Sequence, residues 1–242
     1  MKQETKEPGI ADRLNNLPWE QVEANLDTYG AAVLNHLLTP SDCDTVAAMY
    51  ADDTAFRSRI LMARHGFGSG EYKYFRYPLP ELVEPLRTQL YPRLAPIANC
   101  WNQALRIEVR YPATHAEFLK RCHAAGQRRP TPLLLQYGEG DYNCLHQDLY
   151  GEHVFPLQVA VLLSEPDSDF EGGNFVLTEQ RPRMQSRVEV VPLTQGDAVA
   201  FAVHHRPVQG TRGTYRVNLK HGVSRIRRGH RHTLGIIFHD AE

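Results

Sequence analysis

The chain has 242 residues, 42% of them hydrophobic, and a formal net charge of −1. That is enough for one large domain or two small ones around a sizeable core. Four scattered cysteines (Cys43, Cys100, Cys122, Cys144) form no C-x-x-C pair, which argues against a structural zinc site and a secreted disulfide framework, and no apolar run is long enough to span a bilayer.

The N-terminal stretch MKQETKEPGIADRLNN is polar and lacks the apolar segment of a signal peptide, so a soluble, cytoplasmic protein is expected. Residues 1–16 are predicted to be flexible, with one domain over 17–242. PWEQVEANLDTYG (18–30) reads as a helix with Pro18 near its start and Gly30 past its end. AAVLNHLL follows as a strand. TPSDCDTVAAMYA is a helix with Thr39 as N-cap and Pro40 in its first turn. Residues 80–105 read as helical with proline interruptions, and 112–126 as another helix. These elements make 17–130 a helical support.

From about residue 131 the pattern changes. TPLLLQYG, YNCLHQD, FPLQVAVLLS, GGNFVLTE, RVEVVPLT, GDAVAFAV, YRVNLKHGV and RHTLGIIFH are short, β-rich and punctuated by Gly, Pro, Asp or Ser. Strands of this kind after a helical half predict a mainly-β α+β fold, a double-sheet jelly roll over 131–242 buttressed by N-terminal helices. HHRPVQGTRG between the last strands reads as a loop.

The chemistry concentrates in DYNCLHQDLYG (141–151). In an extended strand residues i and i+2 share a face, so His146 and Asp148 can converge on one point. Two histidines and a carboxylate leave three positions open on non-haem Fe(II). The third ligand must come from a later strand, with His153, His204, His205, His221, His230, His232 and His239 as candidates. A dicarboxylate co-substrate also needs a fixed, always-charged fork, which arginine provides. KHGVSRIRRGHRHTLGIIF offers His221, then Arg231 ten residues later and Thr233 on the same face as Arg231. His204 and His205 are rivals, with Arg216 eleven residues after His205.

The pattern H-x-D (146–148), His221 and G-x-R-x-T-L (229–234) resembles the Fe(II)- and 2-oxoglutarate-dependent dioxygenase superfamily, specifically its prolyl-hydroxylase-type branch. YGEGDYNCLHQD is similar to the approach strand of that branch and of the AlkB-type nucleic-acid demethylases. The resemblance covers roughly residues 131–240, extends to bacterial 2-oxoglutarate–Fe(II) oxygenases, and implies a cupin-like double-stranded β-helix. It implies His146, Asp148 and His221 as iron ligands and Arg231 as partner of the 2-oxoglutarate C5 carboxylate, with Thr233 as a hydroxyl helper. Tyr137 matches a tyrosine that contacts the co-substrate, with Tyr142 as the alternative. The implied activity uses O2, converts 2-oxoglutarate to succinate and CO2, and hydroxylates a substrate, with ascorbate as stimulant. RHTLGIIFHD departs from the AlkB pattern in lacking its asparagine and final arginine.

The substrate is less legible. From Arg181 to Arg231 eleven Lys/Arg stand against two acids, Glu189 and Asp197, so that segment carries nine net positive charges; either it meets an anionic partner or it decorates exposed hairpins. RHGFGSGEYKYFRYPLP (64–80) interleaves Tyr72, Tyr74, Phe75 and Tyr77 with Lys73 and Arg76, which suits single-stranded nucleic acid, a peptide groove or a packed loop alike. TEQRPRMQSR (178–187) is a basic hairpin tip able to overhang a site. Alkylated, single-stranded or damaged nucleic acid and a protein or small-molecule substrate both remain, as does the oligomeric state. Cys144 is expected to be a small buried hydrophobe, and His115 and His123 to lie at a surface or interface.

Overall fold

The structure, a computed structural model, describes residues 8–242. The first element, α1 (Ile10–Asn15), falls within the stretch expected to be flexible; it buries Leu14, and Arg13 pairs with Asp42 at 2.6 Å. Residues 1–7 of that expectation lie outside the described residues. Helix α2 (Trp19–Tyr29) buries Val22 and Leu26 and stops at Gly30, whose φ of 78° suits a residue without a Cβ. Strand β1 (Ala31–Leu34) follows, and then α3 (Pro40–Ala48), where Thr39 and Asp42 form a reciprocal capping box.

The N-terminal half is less helical than its sequence suggests, because β2 (Phe56–Leu61), β3 (Gly68–Ser69) and β4 (Glu71–Phe75) join the sheets of the C-terminal half. The expected proline interruptions do not occur either. Helix α4 (Val83–Ala104) runs unbroken through Pro92 and Pro96. These prolines are exposed and four residues apart, so the carbonyls they leave without donors face water. On the opposite face Leu86, Leu90, Tyr91, Leu94, Ile97 and Trp101 are buried. At about 1.5–3 kcal/mol per large apolar side chain, that burial outweighs a cost of about 3 kcal/mol per interior proline. Helix α5 (His115–Ala124) is capped by Thr114 and Glu117.

The remaining strands are β5 (Leu133–Tyr137), β6 (Tyr142–His146), β7 (Leu157–Leu162), β8 (Phe170–Gly172), β9 (Phe175–Gln180) and β10 (Arg187–Val191). They continue as β11 (Ala198–Ala202), β12 (His205–Gly210), β13 (Gly213–Val223), β14 (Ile226–Gly229) and β15 (Arg231–Ile236). One sheet has the order β1-β11-β7-β15-β5-β4-β2; the other runs β10-β9-β13-β6-β3, with β12 also paired to β13. Every pairing between these strands is antiparallel, as a jelly roll requires. The segment expected to be a loop, around His205, is therefore a strand, with Gly210 opposite Gly213 at its hairpin turn. Strands β7 and β11 are buried along almost their whole length, which accounts for their unalternating apolar runs.

Candidate metal and co-substrate site

The larger sheet presents to the barrel interior a floor of residues in register. Tyr137 lies opposite Arg231, Leu135 opposite both Tyr72 and Thr233, and Leu133 opposite both Tyr74 and Gly235. Ala160 continues the Gly235 row, and Gln158 sits opposite Phe201 one row on. Gly235 keeps the middle of the floor open; a Cβ there would approach Leu133 Cδ2 at 2.6 Å. Above the floor the second sheet contributes His146 and His221, whose Cα atoms are direct cross-strand partners. The cavity between the two sheets, open at one side past the half-exposed Phe67 and Leu149, has a volume of about 330 Å3.

His146, Asp148 and His221 converge: each offers one ligand atom, and these atoms lie within 4.8 Å of one another. Asp148 reaches His146 Nε2 at 3.5 Å through Oδ1 and His221 Nε2 at 3.5 Å through Oδ2. His146 Nδ1–H donates to the Cys144 carbonyl at 2.8 Å, which fixes the tautomer and frees Nε2. Burial pushes the His221 pKa down, favouring the neutral, ligating form. Burial alone would raise the Asp148 carboxyl, but His221, His146 and Gln158 pull it down to about 2, so it is an anion at neutral pH. Two neutral imidazoles and one carboxylate fit Fe(II). His204 and His205, the sequence rivals, lie together at the start of β12 with their Nδ1 atoms 3.2 Å apart and outside this cluster.

Arg231 lines the same cavity and is 2% exposed. It donates to Thr233 Oγ1, its Nε has no partner, and no carboxylate among the described residues pairs with it. Burial without a counter-ion pushes its pKa down to about 10. A buried cation with an idle donor is costly unless an anion completes it, so the chemistry of this wall fits a carboxylate ligand. Tyr137 is fully buried beside it, its ring centroid 5.8 Å from the guanidinium carbon, and burial pushes its phenol up to about 12.

Tyr142, the alternative to Tyr137, is exposed and does not line the cavity. The reason is a β-bulge. His146 pairs with His221 but Asn143 pairs with Val223, so β6 carries one extra residue. The bulge reverses the inside–outside alternation: Asn143 enters the cavity, with Nδ2 3.4 Å from the Tyr137 hydroxyl, and Tyr142 leaves it. Cys144 is exposed as well, contrary to expectation. His115 is buried, not superficial, with Nε2 donating to the Phe238 carbonyl at 2.8 Å.

Within the aromatic–basic stretch 64–80, residues 68–69 and 71–75 form β3 and β4, and the rest is turn or irregular. Alternation on β4 turns Tyr72 and Tyr74 toward the cavity and buries Lys73 and Phe75 behind it, where Lys73 meets Asp53 at 2.6 Å. The charge of the C-terminal segment is similarly spent in part on the fold. Arg181 and Arg206 pair with Glu179, Arg228 with Glu171, and Arg231 faces the cavity. Arg216 and Lys220 alternate with inward-facing Val217, Leu219 and His221 and so lie on the outer face of β13.

Sequence reasoning missed Gln158, Tyr150 and Asn143, all of which line the cavity. Gln158 left a signal: it is the one polar residue in the apolar run FPLQVAVLL.

A protein-family model described as "Oxygenase, catalysing oxidative methylation of damaged DNA" matches residues 70–241. An uncharacterized protein of Mycobacterium tuberculosis is 50% identical over 167 residues, 69% of this chain and 72% of its own. Among solved structures, a prolyl-4-hydroxylase of Pseudomonas putida is similar with TM-score 0.52 and 16% identity, over 93% of this chain and 99% of that one. A prolyl hydroxylase of Trichoplax adhaerens, solved with a hypoxia-inducible-factor peptide, gives TM-score 0.56 and 14% identity over 92% and 89%. At such identities the likeness is one of fold.

Proposed function

The chain belongs to this oxygenase family and is an Fe(II)/2-oxoglutarate-dependent oxygenase, and we propose that it acts on alkylated, unpaired nucleic acid, removing an N-alkyl group by hydroxylation. The oxygenase chemistry of this reading is carried by one observation: a His–Asp–His cluster shares a cavity with a buried arginine that pairs with no carboxylate among the described residues. In this reading His146 and His221 give neutral nitrogen ligands and Asp148 the anionic one. Arg231 takes the far carboxylate of 2-oxoglutarate, Thr233 steadies the guanidinium, and the protonated Tyr137 adds a donor. Leu133, Leu135, Val159 and Phe201 keep water from the reacting atoms.

Fe(II), when bound, couples O2 to oxidative decarboxylation, so that one oxygen atom ends in succinate, the other in the substrate hydroxyl, and CO2 leaves. A hydroxylated N-methyl group then loses formaldehyde as the C–N bond breaks and the nitrogen keeps the electron pair and gains a proton. The nucleic-acid substrate is supported by the family description, which names damaged DNA, and by the tyrosines Tyr72, Tyr74 and Tyr150 around the cavity. A target base must leave its stack to reach a site between the sheets. The G-x-R-x-T-L segment at 229–234 favours a second reading, a protein hydroxylase.

Succinate formation from 2-oxoglutarate with Fe(II) and ascorbate, with and without methylated single-stranded DNA, separates the two. Asp148→Ala and Arg231→Ala are expected to abolish turnover, and the DNA to stimulate it with stoichiometric formaldehyde. Turnover stimulated by a proline-containing peptide and indifferent to DNA would transfer the substrate to the second reading.

A further inference from the structure

Beyond the His–Asp–His cluster and Arg231, the cavity holds two more buried polar atoms with no close hydrogen-bond partner among the described residues: Gln158 Nε2, whose neighbour is Asp148, and the Tyr150 hydroxyl, whose neighbour is Tyr74. Each unsatisfied buried group costs about 1–3 kcal/mol. Gln158 is 4% exposed and lies on the floor beside the Asp148 carboxylate, whose pKa its side chain helps hold down through a long hydrogen bond, and its amide nitrogen has no close partner among the described residues. Arg231 is at the other end of the floor: the antiparallel register that sets Ile236 beside Val159 brings Gln158 level with Ile237, six residues along β15 from Arg231, and at roughly 3.3 Å per residue the two backbones are about 20 Å apart. Gln158 therefore does not serve the carboxylate that Arg231 receives.

The surroundings of these idle donors are flat and aromatic. Tyr72 and Tyr74 meet edge to face with centroids 5.4 Å apart, and Tyr150 packs against His239 at 5.2 Å. Leu133 and Ile237 supply apolar floor between them, and Phe67 and Leu149 stand half exposed among the lining residues. Aromatic walls with a carboxamide at the end accept a planar ring by its faces and read its edge, as glutamine does with base edges. A tyrosine-lined slot also excludes a bulky aliphatic backbone better than it excludes a ring.

We propose that Gln158, with the Tyr150 hydroxyl, is the base-reading subsite of this oxygenase, donating hydrogen bonds to acceptors on the edge of a nucleobase held against Tyr74 and Tyr150. The subsite rests on the nucleic-acid reading given above. It takes a neutral ring with an edge carbonyl or ring nitrogen. Gln158 is a specificity residue that touches the base; the reacting methyl group belongs to the His146–Asp148–His221 side of the cavity.

The test compares two single-stranded oligonucleotides, one with a single N-methylated base and one abasic at that position, by fluorescence anisotropy on the metal-free full chain. Wild type is expected to bind the base-containing strand about tenfold tighter, the scale of one good edge contact. In Gln158→Leu that ratio is expected to fall to about one, and in Tyr150→Phe, a smaller change that keeps the ring, to drop about threefold; thermal melting checks that both variants are folded. An unchanged ratio in the two variants, or no preference in wild type, overturns the subsite. Weakened Fe(II) binding in Gln158→Leu with the ratio intact also overturns it and makes Gln158 a holder of Asp148. Succinate formation in the wild type without base preference defeats the subsite alone, whereas absence of 2-oxoglutarate turnover defeats the oxygenase reading itself.

Discussion

Two arginines of this chain are equally buried and do opposite things. Arg87 on α4 is 1% exposed and every donor group is engaged: Nε to the Ile237 carbonyl at 2.8 Å, Nη1 to the Tyr77 hydroxyl at 2.9 Å, and Nη2 to Asp240 Oδ1 at 2.8 Å with the Phe238 and His239 carbonyls nearby. Arg231, 2% exposed, has one hydroxyl partner, an idle Nε and no carboxylate. The two guanidiniums flank one strand, Arg231 at the start of β15 and Arg87 clamping the residues just past its end. A satisfied buried charge holds a fold together; an unsatisfied one at a cavity wall is held ready for a ligand.

The comparison can be broken most directly at Arg87. Arg87→Leu leaves Asp240 charged and buried, so urea unfolding is expected to show a loss of about 3–5 kcal/mol, a large part of a typical domain's stability. A loss below about 1 kcal/mol would erase the contrast. Arg231→Leu is expected to leave unfolding free energy unchanged or slightly raised while weakening 2-oxoglutarate by about 2–5 kcal/mol, read as a rise in its KM. The same contrast predicts that 2-oxoglutarate at about a hundredfold excess over its Kd adds about 2.7 kcal/mol to the stability of metal-loaded wild type and almost nothing to Arg231→Leu.

Acid sharpens the comparison from the other side. Burial works to raise the Asp240 carboxyl, but Arg87, His123 and Tyr77 outweigh it and hold the pKa below its ordinary 3.8. The stability this carboxylate contributes is therefore complete above pH 3.8 and is lost as pH falls through the lower folded value. Asp240→Asn should flatten that acid limb, measured by thermal melting between neutral and strongly acidic buffers. The smallest effect belongs to Thr233→Val, which removes the single partner of Arg231 and should raise the 2-oxoglutarate KM by a few-fold, about 1 kcal/mol.

Much of this was legible before any coordinates. Local chemistry showed through wherever one residue type decided the outcome: the Thr39 cap, the left-handed Gly30, the apolar runs of β7 and β11, and the H-x-D spacing that puts His146 and Asp148 on one point, which the family resemblance completed with His221. What stayed hidden depended on partners distant in sequence. Strand parity could not choose between Tyr137 and its alternative Tyr142, because a bulge, set by pairing with β13, reverses the parity of β6. The prolines of α4 looked like breaks because the buried face that overrides them is completed by other elements. The use of Lys73 stayed open because only the strand β4 turns it toward Asp53, and β12 read as a loop because only β13 makes it a strand. Gln158 could be seen as odd but not as idle, since idleness is a property of its neighbours.

The bulged strand also bears on how the enzyme is loaded. Strand β6 is stitched to β13 at two paired positions and to β3 at two more, whereas β7 in the larger sheet has five with β11 and four with β15. One of its four stitches is the His146–His221 pair itself. A cation gripped by both imidazoles and by Asp148 just beyond would thus close a sparsely paired seam of the barrel, and its departure would reopen it. Amide exchange in residues 142–148 should therefore report metal occupancy directly, and the pace at which that seam breathes would set how quickly iron enters and leaves.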